Sequence, residues 1–411
     1  MSESEGPGSR NNQLPPPSAL SQATSKLTHH PKYYYEDGSV IFLVGNTLFK
    51  VYALRLAPDE GVTGHEFEPT MKSILDRSNI TSDSPGAGVS NPITLPDDVG
   101  VEEFVSLLDI VFGKIGEETY MDVLAAARAP STKCSDFVSR ATDAGFLAAR
   151  FGMDKLDFWV QSQISLVFSL KKSLDGDFWS RATLLKLISY MEYTRTTKYR
   201  HNILAYVRCI ISISALSYSD PLDNPKRLAS TNACVDLYNG QLPELQRTNS
   251  ALFGFIFAVV LSAGPRSSTW TKRLTREDRT ILYAAYADLT RLRDHPGCKI
   301  QWLEDSNKIK DVCSKAGCSR IFTNVWGQTF ARYRTLDSLV PLHDIYEIIA
   351  LPEGRQVFAE RCKSLGWDCE SQCAQKTLAA IDNSIERLYL WLAKRHKYYT
   401  TYVLETPRAN P

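Results

Sequence analysis

The sequence predicts an α+β chain: a few short strands under helices near the N-terminus, then a mainly α-helical region. Three observations predict it. Two β-branched and aromatic runs, Val40–Val44 and residues 47–52, flank Gly45-Asn46, the signature of a tight hairpin. A third short run, Ile93-Thr94-Leu95, is stopped by Pro96. From Phe178 onward no run reads as a strand, while apolar residues recur at helical spacing.

The elements follow in order. Residues 1–31 hold Pro15-Pro16-Pro17 and scattered Ser, Asn and Gln with few large apolar groups, so burial there does not offset ordering entropy and a disordered arm is expected. After the hairpin, residues 53–57 begin a helix that Pro58 interrupts, and residues 67–75 form a short helix. Residues 78–92 are turn formers and read as a loop. Asp97-Asp98 are expected to cap a helix running to Phe112, with Glu102 and Glu103 in its first turn and Phe104, Val105, Leu108 and Val111 on one face. Helices follow at 120–129, 136–151 and 154–170.

Beyond a link at 171–174, an all-helical region is expected over 175–400, with windows at 178–191, 198–216, 229–238, 248–263, 275–294, 319–333, 343–361 and 372–398. Thr275-Arg276-Glu277-Asp278 reads as a capping box. Residues 401–411 are expected to be a flexible tail. No period of about 20–50 residues repeats, which argues against a solenoid.

Composition narrows the function classes. Lys and Arg total 47 and Asp and Glu 46 in 411 residues, a net charge of +1 that gives no electrostatic case for nucleic acid or an anionic membrane. Nine cysteines, an odd number in a long chain, fit reduced thiols. No secretory signal is visible at the N-terminus, and the longest apolar run, residues 251–263, is shorter than the about 20 residues that span a bilayer. It reads as a buried core helix, and a cytoplasmic or nuclear chain is expected.

Tyr35-Glu36-Asp37-Gly38-Ser39 leading into Val40–Val44, Asn46-Thr47-Leu48-Phe49-Lys50-Val51, Ile93-Thr94-Leu95-Pro96-Asp97 and the Phe104-x-x-Leu107-Leu108 face occur in an order that resembles the BTB/POZ domains abundant in basidiomycete fungi. Two helices follow in that family, matched by residues 141–151 and 153–164. The resemblance covers about a third of the chain and implies a BTB/POZ-like domain over 32–170, with a small mixed sheet covered by helices. The chain departs from the family pattern at Tyr52-Ala53 and Ala57-Pro58-Asp59, and carries longer inserts near 60–66 and 129–136.

Catalytic signatures are missing from the sequence: there is no G-x-G-x-x-G, Walker-type loop, H-E-x-x-H or G-x-S-x-G. No enzymatic activity, catalytic residue or small-molecule substrate is expected. His29-His30 falls in the arm and is expected to play no structural part; His65-Glu66 reads as a solvated turn. The cysteines of the last third are the sharpest feature. Cys313-x4-Cys318 and Cys369-x3-Cys373 approach the paired spacing with which two thiolates reach one tetrahedral zinc. Cys298, Cys318, Cys369 and Cys373 are the preferred ligands of such a structural zinc. The competing reading is that these are buried apolar thiols. The stretch from Lys394 to Tyr399 mixes cations and aromatics, as a nucleic-acid site does, and equally as a solvated helix end does.

The expected function is that of a protein-interaction adaptor, binding partner proteins or itself through the 32–170 domain. The resemblance implies one specific form, a substrate receptor for a cullin-type ubiquitin ligase. A transcriptional or chromatin cofactor that oligomerises through the same domain is the alternative.

Overall fold

The computed structural model describes residues 27–56, 70–78, 84–113, 134–170, 178–194, 197–216, 225–242, 244–289, 292, 295, 316–330, 345–365 and 373–405. The strands are β1 Thr28–Tyr34, β2 Val40–Val44, β3 Thr47–Val51 and β4 Ile93–Thr94. They form one mixed sheet in the order β1-β3-β2-β4. β2 and β3 make the expected hairpin, with Val44 opposite Thr47 and Gly45 at φ 55°, which the two-residue turn requires. β1 joins β3 in parallel and β4 joins β2 in parallel.

β1 corrects the expected N-terminal arm. Residues 28–31 belong to strand, with Thr28 and His29 paired to β3, and the strand is fastened further on: the Tyr33 hydroxyl donates to Asp109, and Lys32 Nζ sits 2.8 Å from the same carboxylate. His30, read as structurally idle, stacks on Phe49 with ring centres 4.8 Å apart and accepts the Tyr33 N–H on Nδ1. The remaining arm, 1–26, lies outside the described residues.

Helices α1 Ala53–Leu56, α2 Met71–Ser78 and α3 Val101–Phe112 cover this sheet. Phe42, Phe49 and Phe104 meet edge to face or tilted at 5.1–5.5 Å, and Val40, Val44, Val51, Leu107 and Leu108 close the core around them. Asp97-Asp98 do not cap α3. Gly100 is the N-cap residue; its N–H donates to the Glu103 carboxylate at 3.2 Å, while Asp98 turns away to Arg150 at 2.8 Å. The helix expected at 120–129 lies outside the described residues.

Helices α4 Ser135–Arg150 and α5 Asp154–Leu170 follow. The helical region then continues with α6 Arg181–Tyr193, α7 Arg200–Ala215, α8 Pro225–Tyr238, α9 Leu245–Thr248, α10 Ser250–Ser262 and α11 Ser268–Arg273. It ends with α12 Arg276–Leu289, α13 Ala316–Phe330, α14 Ile345–Ser364 and α15 Cys373–Glu405. The capping box at α12 is present in both directions: Thr275 N–H donates to Asp278 at 3.0 Å and Asp278 N–H to Thr275 Oγ1 at 3.1 Å. α15 continues past residue 400, so the expected tail begins no earlier than 406.

α10 is the run 251–263 of the sequence, and every side chain from Ala251 to Ser262 is buried. No helix among the described residues is long and apolar enough to cross a membrane. α10 and α15 touch backbone to backbone at Gly254, where a β-carbon would stand 1.9 Å from the Tyr389 carbonyl oxygen.

Two hydrophobic cores divide the structure along α4. Ala144, Leu147, Ala148 and Phe151 face the sheet core, while Phe137, Val138, Ala141 and Ala149 belong to the larger helical core that takes in α5 as well. Lys186 of α6 ties the units together, 2.7 Å from Glu103 on α3 and from Asp143 on α4. Deeper in the same junction Asp157 of α5 is 1% exposed; it accepts hydrogen bonds from Tyr190 at 2.5 Å, Thr194 at 2.6 Å and Gln161 at 3.1 Å.

Candidate functional site

β4 is an outer strand of the sheet, and an apolar groove of about 490 Å³ runs along it. Ile74, Pro85, Pro92, Ile93, Leu95, Pro96 and Phe151 supply the apolar walls, and Asn91, Thr94 and Arg150 the polar groups.

Local sequence explains each wall. Thr70 Oγ1 accepts the Ser73 N–H at 3.1 Å and so caps α2, and Met71 N–H donates to the Phe151 carbonyl at 2.9 Å, which seats α2 across the end of α4. α4 ends in a Schellman turn: Met153 N–H returns to the Ala148 carbonyl at 2.8 Å, with Gly152 at φ 69°. That turn holds Phe151 in the groove. On the other side Gly86, at φ 90°, donates to Asn91 and accepts from Ile41. A β-carbon on Gly86 would reach 2.9 Å from Ile93 and Val40, so only glycine fits under β4.

The backbone of β4 is half used. Leu95 N–H donates to Leu43 at 3.0 Å, toward β2. Strand alternation therefore turns the N–H and C=O of Thr94 to the open side, above the groove. Arg150 closes one end against Asp98; its hydrogen bond holds the exposed Asp98 carboxyl below the usual range. Three prolines, an aromatic ring and an open strand edge thus meet at one surface, the features with which sheet edges accept an extended chain.

The other predicted residues are placed as follows. Cys318 and Cys373 are buried in the helical core, and Cys298 and Cys369 lie outside the described residues. Among the described residues no group of three or more His, Cys, Asp or Glu side chains is arranged to hold a metal ion. Cys134, Cys209, Cys234 and Cys362 are buried thiols too; burial pushes the Cys362 thiol up to about 12. The basic-aromatic stretch is divided by the helix: Lys394, Lys397 and Tyr398 are exposed, whereas His396 and Tyr399 turn into the core. Arg395 lies over the rings of Trp391 and Tyr398. His65-Glu66 is outside the described residues.

Sequence reasoning had the strand Ile93-Thr94-Leu95 but not the groove beside it. Its walls come from residues 74, 85, 91–96 and 150–151, which only the fold brings together. The single legible hint was the clustering of Pro92 and Pro96 around β4. Comparison of the chain with protein-family models, with curated proteins and with solved structures finds no match.

Proposed function

We infer that the chain is a protein-interaction adaptor whose N-terminal unit docks an extended segment of a partner protein along β4. The observation that carries this reading is the conjunction of the outward N–H and C=O of Thr94 with the 490 Å³ apolar groove beneath them. Main-chain hydrogen bonds to an open strand edge supply affinity, and alternate side chains seated in pockets supply specificity. Ile74, Pro92 and Phe151 are the surfaces on which an apolar side chain of the partner rests. The opposite edge, β1, is poorly suited to the same task because it carries Pro31 and Lys32.

The order of strands and helices that resembles BTB/POZ domains supports the same class of function, and a cullin-type scaffold is one partner to test. A photo-reactive residue placed at Thr94 of the full chain tests the reading. Cross-linking of a partner at Thr94 and none from the same residue placed at exposed Tyr283 is expected; equal capture from both positions removes β4 as the docking edge.

A further inference from the structure

A second cavity, of about 250 Å³, lies between the start of α8 and the corner where α10 passes into α11. α8 contributes Arg227, Leu228 and Thr231, which share one helical face. The corner contributes Ala263, Arg266, Ser267, Ser268 and Thr269. No carboxylate lines the cavity among the described residues.

The corner is rigidly built. Gly264 sits at φ 76° and closes α10 with its N–H on the Leu261 carbonyl. Ser267 Oγ donates to the Gly264 carbonyl at 2.9 Å and accepts the Trp270 N–H. The buried Trp270 indole then pins α11 to α10 by donating to the Val260 carbonyl at 2.8 Å.

Arg227 and Arg266 form no ion pair among the described residues, although Arg273 and Arg181 nearby in the chain and fold both pair with Asp236. Thr231 and Thr269, 6% and 5% exposed, also line the cavity. Two guanidinium groups at one cavity with no lining carboxylate among the described residues favour an anionic ligand.

We propose that this cavity binds a phosphoryl group, as free phosphate or as the head of a small phosphomonoester. The two guanidinium groups supply forked N–H donors matched to phosphate oxygens, and the Thr231, Ser268 and Thr269 hydroxyls supply the remaining donors. The volume holds roughly eight waters, enough for one phosphate and a short ester but not for a nucleotide. This site is separate from the β4 groove and does not depend on the adaptor reading.

Calorimetric titration of the full chain with orthophosphate and, separately, phenyl phosphate, at constant ionic strength in chloride, tests it. Saturable binding of either is expected; orthophosphate binding marks the free ion as ligand, and binding of phenyl phosphate alone marks an ester. Arg227→Gln and Arg266→Gln should each weaken binding about tenfold or more, while Lys272→Gln, on α11 but off the cavity, should not. Ser268→Ala, at an exposed position, gives a smaller loss and covers the case in which an arginine variant fails to fold. No saturable binding of either probe, or an equal loss in Lys272→Gln, overturns the proposal.

Discussion

The Tyr389 hydroxyl of α15 donates to the carbonyl of Ile348 at 3.2 Å, and Ile348 is the residue whose carbonyl Pro352 leaves without its helical donor. Proline has no N–H to return to position i−4, so a buried carbonyl in the middle of α14 would otherwise stand unpaired. Tyrosine from the neighbouring helix completes it. The next carbonyl, Ile349, is taken by the Ser212 hydroxyl at 2.6 Å. α14 thus carries a proline inside its span with α15 supplying the donor that Ile348 lacks, and α7 adding a hydroxyl at the next carbonyl.

Tyr389→Phe should therefore cost about 1–3 kcal/mol, the range for stranding a buried polar group. Pro352→Ala restores the helical donor, so in that background the same change should cost markedly less. Denaturant unfolding of the four members of the cycle measures the coupling. Additive effects of the two substitutions would show that Tyr389 does not stand in for the lost bond.

Gly254 and Gly145 each mark a tight helix approach. A β-carbon at Gly145 would lie 2.5 Å from the Tyr190 ring, which is held against the buried Asp157. Gly145→Ala should cost about 1–3 kcal/mol. Gly254→Ala, which meets the Tyr389 backbone rather than a side chain, should cost more and abolish cooperative unfolding of the helical region. Thermal unfolding by circular dichroism reads both.

Asp382 gives an acid-side prediction. Burial works to raise its carboxyl, but the nearby His201 ring, 3.7 Å away, and two hydrogen bonds from Arg355 at 2.8 Å outweigh this and hold it at about 2. A carboxyl depressed in the folded state stabilises above its unfolded value and loses that contribution as pH falls through the folded one, here from about pH 4 to about pH 2. The stability difference between the native chain and Asp382→Asn should shrink by about 2 kcal/mol over that window. A difference independent of pH would contradict the pairing.

His396 acts at milder pH. Burial pulls its imidazole down to about 4, with Asp278 opposing weakly, and its ring packs among Tyr238, Phe253 and Phe257. The folded chain keeps it neutral while the unfolded chain protonates it below about pH 6.5, so stability is lost as pH falls from there to about 4. The expected loss is about 3 kcal/mol, and it should be missing from His396→Gln. Urea unfolding at several pH values measures it.

What was legible in the sequence is what local pattern dictates. Gly45-Asn46 between two β-branched runs gave the hairpin, and the Thr275–Asp278 box gave the start of α12. The unbroken apolar run of α10 gave a buried helix. β1 was not legible: His29-His30-Pro31-Lys32 has no apolar alternation, and the segment is strand because β3 and Asp109 hold it. The cap of α3 was misplaced because Asp98 serves Arg150, 52 residues away. Asp157 and Tyr190 are likewise 33 residues apart, and nothing in either neighbourhood announces the other. The β4 groove and the Arg227–Arg266 cavity share that origin, each assembled from segments distant in the chain.

Amide hydrogen exchange at β4, read on the full chain alone and with a partner captured through Thr94, tests the docking edge most directly. Thr94 should exchange fast in the free chain, with Leu95 protected by Leu43, and should slow on binding while Leu95 stays unchanged. A Thr94 amide already protected in the free chain, or one left unaffected by the bound partner, contradicts strand addition at β4.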